Sequence, residues 1–205
     1  MKIFYTLSIV CGLLFCYVLP ASSQSKKTSI APHRFESTDH TITFQYSAQL
    51  LLCQQDTPAC QDYSYLCTVD QDTVAPIACL GYGGDAYKGY NYTGAALAIG
   101  ILSSAKDEVA CFDLPGTKGE DVKINGVVFK SSQDGDAGMG HFVNDFVYRT
   151  FHGGQCYEAD LRIATTNFGN YDPGTVKEFK AADEQKVHRK LKLALETLHF
   201  SDVGK

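Results

Sequence analysis

YRTFHGGQCYE, residues 148–158, is the stretch on which the reading of the fold turns. Two adjacent glycines tolerate the positive φ values of a two-residue hairpin turn, so Gly153-Gly154 sets the register around it. His152 then faces Gln155, Phe151 faces Cys156, Thr150 faces Tyr157, Arg149 faces Glu158 and Tyr148 faces Ala159. Strand side chains alternate between faces. Tyr148, Thr150, Tyr157, Ala159, Leu161 and Ile163 therefore share the core face, and Val147, Arg149, Phe151, Cys156, Glu158, Asp160 and Arg162 share the other. Arg149 and Glu158 are expected as a cross-strand ion pair worth roughly 0.2–1 kcal/mol. Phe151 beside Cys156 implies a second, smaller apolar cluster under another segment, with Cys111 the expected partner of Cys156.

Outward from this hairpin the pattern is mostly strands. Residues 40–47 alternate, with Ile42, Phe44 and Tyr46 on one face, as a half-buried strand does. Residues 64–69 and 77–82 read as short strands joined by a turn-rich link, and residues 95–102 as a small, apolar, buried strand. Residues 103–110 read as one or two helical turns leading to Cys111. Residues 121–124 and 127–130 flank Asn125-Gly126, which suits a type I′ turn. Residues 131–140, rich in Gly and Asp, read as a loop. A terminal helix is expected to open at Thr175-x-x-Glu178 as a capping box after Pro173-Gly174. Val187, Leu191, Ala194, Leu195 and Leu198 recur at helical spacing along it, while Lys186, Arg189, Lys190 and Lys192 fall on a solvated face. Strands, a short helical piece, hairpins and a long helix make an α+β fold, with helices segregated against a mainly antiparallel sheet.

The N-terminus has Lys2, then an uncharged apolar run over residues 3–19, then Pro20 and Ala21-Ser22-Ser23. That is the pattern of a secretory signal cleaved after Ser23. A retained membrane anchor is the alternative, since the run is about long enough to cross a bilayer. Residues 1–23 are read as the signal, 24–37 as a flexible leader and 38–205 as one domain. Without Lys2, 17 basic groups stand against 23 acidic ones, a net charge of −6. Dispersed acidity of this kind disfavours a nucleic-acid partner or an anionic membrane surface. Cys53, Cys60, Cys67, Cys79, Cys111 and Cys156 remain after cleavage. An even count in an exported chain reads as a disulfide framework, for which six cysteines allow 15 pairings. The spacings lack the close ligand pairs of a zinc site, so no metal and no cofactor is expected.

Candidate sites are few. No Gly-x-Ser-x-Gly, His-Glu-x-x-His or phosphate loop is present, and Gly81-Tyr-Gly-Gly precedes no clear helix. A catalytic Cys156 is disfavoured, because His152 points to the opposite face and export favours oxidation. His141, His152 and Glu158 are the candidates for a His/carboxylate catalytic site. Tyr82, Tyr87, Tyr90 and Tyr92 are the ligand-binding candidates, as tyrosines on an exposed Gly/Tyr loop give amphipathic contact area at low entropic cost. Packing across the sheet edge is the alternative for them. Asn91-Tyr-Thr93 is formally a glycosylation acceptor.

An aromatic-rich hairpin, a Pro-Gly turn and a final amphipathic helix ending Leu195-Glu-Thr-Leu-His-Phe200 resemble the tail of PsbP-like domains. The resemblance implies an α/β/α sandwich, an antiparallel sheet between helices, in an exported or lumenal domain with a non-enzymatic accessory role. It implies no functional residue, since the cysteines and the tyrosine loop lie outside its pattern. The expectation is therefore a secreted or periplasmic binding or accessory domain for a protein, small-molecule or glycan ligand, with no stable membrane anchor once the signal is removed. The alternatives are a small envelope hydrolase and a purely structural envelope component.

Overall fold

Gly153 and Gly154 take left-handed φ angles of 57° and 81°, and the hairpin they close pairs His152 with Gln155 and Arg149 with Glu158. The computed structural model describes residues 32–53, 58–69 and 76–201. The expected signal, residues 1–23, and the leader up to residue 31 lie outside them. So do the turn at 54–57 and most of the link at 70–76. Among the described residues no helix is long and apolar enough to cross a membrane.

In chain order the elements are β1 (His33–Glu36), β2 (Ile42–Tyr46), β3 (Leu51–Cys53), β4 (Ala78–Tyr82), β5 (Tyr92–Ile101) and α1 (Glu108–Cys111). There follow β6 (Thr117–Lys118), β7 (Val122–Ile124), β8 (Val127–Gly138), β9 (His141–His152), β10 (Gln155–Thr166), α2 (Ala181–Leu195) and β11 (His199–Phe200). The large sheet runs β3-β4-β5-β10-β9-β8-β6, with β7 also on β8, and every pairing is antiparallel. A small sheet, β1-β2-β11, sits beside it. The fold is α+β.

One face of the large sheet is the core. Val187, Leu191, Ala194 and Leu195 form the buried stripe of α2, and they meet Leu80, Leu97, Ile99, Leu161 and Ile163 from β4, β5 and β10. Each such aliphatic side chain contributes roughly 1.5–3 kcal/mol on burial. The opposite face is covered without a long helix. Residues 58–69 lie over β4 and β5, tied by Cys53–Cys60 and Cys67–Cys79. Residues 102–115, including the single turn of α1, lie over the far end, tied by Cys111–Cys156. Asp107 caps that turn, accepting from the Ala110 N–H at 2.8 Å.

The first cover fits because β5 turns Gly94, Ala96, Ala98 and Gly100 toward it. A Cβ on Gly100 would stand 2.6 Å from Val69 Cγ2, and one on Gly81 would stand 2.8 Å from the Tyr63 ring. Residues 64–69 therefore do not form the expected strand. Leu66 and Val69 point down onto this shallow stripe and are fully buried.

Three other expectations are corrected. Residues 33–36 are not leader but β1, because Phe35 stacks on Phe44 at 4.8 Å. Residues 131–140 are not a loop: β8 runs through them to Gly138, and only Met139 and Gly140, at φ 52° and 80°, make the turn into β9. The terminal helix does not open at Thr175. Asn91 takes the Phe179 N–H at 2.6 Å, and the Lys177 N–H donates to the Gly89 carbonyl at 2.8 Å. Thr175 stays in the turn after Asp172 and those bonds hold residues 177–179 out of a helix, so α2 starts at Ala181 with the Asp183 carboxylate reaching back to the Lys180 N–H at 3.5 Å.

Candidate functional site

Between the two disulfide-tied covers, the polar row of the opening hairpin forms the floor of a cleft of about 470 Å³. β9 supplies Asp145 and Arg149, β10 supplies Glu158, Asp160 and Arg162, and β8 supplies Asp134. Leu102, Ala105, Leu114 and Pro115 stand in its wall. Alternation alone places these polar side chains on one face; the covers then remove them from water.

Arg149 and Glu158 meet at 2.6 Å with 6 % and 1 % of their side chains exposed, and Arg149 Nη1 also donates to the Asp113 carbonyl at 2.8 Å. The expected pair is therefore present, but it is a buried ion pair rather than a surface one, and the small surface value does not apply to it. Arg162 reaches Asp160 Oδ2 at 2.6 Å and Asp145 Oδ1 at 3.4 Å, and its Nη1 donates to the Thr68 hydroxyl. Asp134 stands directly across the ladder from Asp145, a like-charge placement that destabilises a sheet. Among the described residues, the buried atoms without a hydrogen-bond partner are Ser132 Oγ, Asp145 Oδ1, Asp160 Oδ1 and Arg162 Nε. Asp145 and Arg162 face each other there, at ion-pair distance but out of line for a hydrogen bond.

Burial pushes the Asp160 carboxyl well above the usual carboxylate range, against the pull of Arg162, and Asp145 and Glu158 add to the rise. Asp145 is raised for the same first reason, with Arg162 opposing and Asp134, Asp136 and Glu158 contributing. The sign of the linkage follows. Between the unfolded pKa near 3.8 and the higher folded one, the folded chain holds a proton that the unfolded chain has released. Stability from Asp160 is thus lost as pH rises through that interval. Asp160→Asn, which still accepts from Arg162, is expected to be more stable than the parent at neutral pH, with the difference closing below about pH 4. Urea midpoints of both proteins across that pH range check this; an Asn variant weaker than the parent at pH 7 refutes it.

The sites proposed from sequence are rearranged. His141 and His152 occupy opposite ends of β9, eleven residues or roughly 36 Å apart. His152 stacks on Phe200 at 4.4 Å on the core face, whereas Glu158 lies on the cleft face. These three residues do not form a joint site. The tyrosines are not on an exposed loop either. Tyr82 and Tyr92 are buried, and the Tyr92 hydroxyl donates to the Tyr82 carbonyl at 2.9 Å. Tyr87 is half-buried, edge-on to Phe179 at 4.9 Å and to Tyr90 at 5.4 Å. Phe179 draws this set into the core, and nothing in residues 81–92 alone marks it. Asn91 is 6 % exposed and both ends of its amide are engaged, with Phe179 and with the Thr166 carbonyl. The glycosylation acceptor is therefore closed in the folded chain. Sequence reading missed Asp134, Asp145, Asp160 and Arg162 as a group. The signal that could have found them is Cys156 on their face, since a disulfide there requires a covering segment.

No family model matches the chain, and no curated protein matches it. Solved structures do. A crystal structure of a protein from Bacteroides thetaiotaomicron VPI-5482 overlays with a TM-score of 0.45 at 10% identity, covering 84% of this chain and 49% of that one. The chain thus spans about half the length of that protein. The solution structure of cyanobacterial PsbP (CyanoP) from Synechocystis sp. PCC 6803 gives 0.42 at 10% identity, covering 89% of this chain and 99% of the other. LpqN, described as involved in cell envelope biogenesis of Mycobacterium tuberculosis, gives 0.43 at 9% identity, covering 83% and 91%. A PsbP is thus among the structural neighbours, as the terminal third of the sequence led one to expect. Overlays this shallow carry neither family nor function across.

Proposed function

We propose that this chain is an exported, non-catalytic binding domain, periplasmic or secreted, whose ligand seat is the cleft between the two disulfide-tied covers. The observation that carries this reading is Asp160 Oδ1, a carboxylate oxygen on a residue only 2 % exposed, lining the cleft and lacking a partner. A buried polar atom left unsatisfied costs about 1–3 kcal/mol. A strongly perturbed carboxylate in a cleft is a candidate functional group. Three disulfides among the described residues fit an oxidising compartment. The cleft is within the ordinary size range for a small ligand or one side chain of a protein partner. The His141/His152 hydrolase reading has no assembled residues to act with.

The test is a fragment screen on the isotope-labelled protein, using small molecules of all three charge classes and following backbone amides by NMR. Hits are expected to shift Ala105, Asp113, Asp145 and Asp160 together. Hits confined to Tyr87 and Tyr90, or to the groove beside the exposed Leu193 of α2, would move the seat elsewhere and end this reading.

A further inference from the structure

We propose that the cleft takes one organic cation, a guanidinium or primary ammonium group, with Asp160 Oδ1 as its buried acceptor and Asp134 and Asp145 beside it. This rests on the cleft being the ligand seat.

Charge comes first. The cleft is lined by five carboxylates, those of Asp113, Asp134, Asp145, Glu158 and Asp160, against two guanidiniums. Both guanidiniums are engaged: Arg149 with Glu158 and the Asp113 carbonyl, Arg162 with Asp160 Oδ2 and Thr68. What remains is mainly acceptor capacity, at Asp160 Oδ1 and on the Asp134/Asp145 cross-strand pair, against one open donor, Arg162 Nε, which stands 3.4 Å from Asp145 Oδ1. An anion would meet these carboxylates at low dielectric, where like-charge contacts are costly. A donor-only cation supplies what Asp160 Oδ1 lacks and relieves the repulsion between Asp134 and Asp145.

Geometry then separates an organic cation from a metal ion. Hard divalent ions need six to eight oxygens arranged around one point. Among the described residues no group of His, Cys, Asp or Glu has that arrangement, and Arg162 stands between Asp145 and Asp160. A planar guanidinium offers donors in a fixed fork and can bridge two separated carboxylates. Leu102, Ala105 and Pro115 in the wall give an alkyl stem an apolar surface to lie on while its head is held below.

The experiment uses the full chain and three probes with one alkyl stem: butylguanidinium, butyramide and butyrate, each titrated by NMR. A blocked Gly-Arg-Gly peptide and calcium chloride are further arms. Butylguanidinium is expected to shift the Ala105, Asp145 and Asp160 amides at concentrations at least tenfold below butyramide, with butyrate weaker still. Asp160→Asn should weaken that binding at least tenfold, and Asp134→Asn several-fold. Should Asp160→Asn fail to fold, Asp134→Asn decides, and its binding unchanged would overturn the proposal. Tighter binding of the peptide than of butylguanidinium would assign the cation to a basic side chain of a protein partner; the reverse would assign it to a free small molecule. Butyrate or butyramide binding the cleft as well as butylguanidinium would sink the cation while leaving the seat. Calcium binding that depends on Asp160, with no response to the organic cation, would likewise sink it. No probe shifting the cleft amides, with shifts elsewhere, would remove both.

Discussion

Glu158→Ala is expected to lower the unfolding free energy by about 3–5 kcal/mol, because it strands a buried guanidinium. Arg149 is held within the sheet by Glu158 at 2.6 Å and by the Asp113 carbonyl. A carbonyl can satisfy one N–H but cannot neutralise the charge. Replacing both partners with apolar residues of similar volume, Arg149→Met with Glu158→Leu, should recover most of the loss, since neither partner is then left behind as an unpaired buried charge. Urea unfolding followed by far-UV circular dichroism measures both, there being no tryptophan to report. A single variant costing under about 1 kcal/mol would mean that the pair behaves as a surface pair after all. Asp160 is the instructive contrast. Asparagine there keeps an acceptor for Arg162, which also retains Asp145 and Thr68, so losing that charge should help where losing Glu158 harms.

Loss of Cys111–Cys156, by serine at both positions, is expected to cost about 4 kcal/mol by chain entropy, given a sequence separation of 45. The Cys67–Cys79 bond, with a separation of 12, should cost about 3 kcal/mol by the same relation. The longer bond has a further consequence. Leu102 and Ala105 pack on it as a small cluster apart from the main core, so its loss should free the cleft wall before the sheet melts. Hydrogen exchange at Ala110 and Cys111, whose N–H groups bond to Asp107, should then quicken while β9 and β10 stay protected. Equal costs for the two bonds, with no local opening, would refute this account.

The opening hairpin was legible because its information is local. Gly153-Gly154 sets the turn, period two sets the faces, and both survive into the structure as the pairing of Arg149 with Glu158. What period two cannot say is whether a polar face meets water. That depends on residues 58–69, which fit because β5 offers Gly94, Ala96, Ala98 and Gly100 to be covered, and on residues 102–115, which Cys111–Cys156 ties to β10. The α+β class was legible for the same local reason as the α2 stripe. The start of α2 was not, since Thr175 and Glu178 have the spacing of a cap, and Asn91, 88 residues from Phe179, overrides it. One acidic member of the cleft was hidden by one misreading. Taking residues 131–140 as loop removed Asp134 from the sheet, and with it the placement opposite Asp145 that makes the cleft acidic.

The sheet's inner strands β8, β9 and β10 run twelve residues each, yet its outermost strands, β3 and β6, have three and two. An open sheet this large offers a neighbour two margins of unpaired backbone on which to add a strand. Here one margin is three residues beside the Cys53–Cys60 bond. The other, past β6 and β7, is the end of β8 that carries Asp134 and Asp136 with Gly135 and Gly138. Short and charged margins resist strand addition. Asp134 thus has two duties, since the carboxylate that makes the cleft acidic also puts charge on a margin where a second copy could otherwise add a strand.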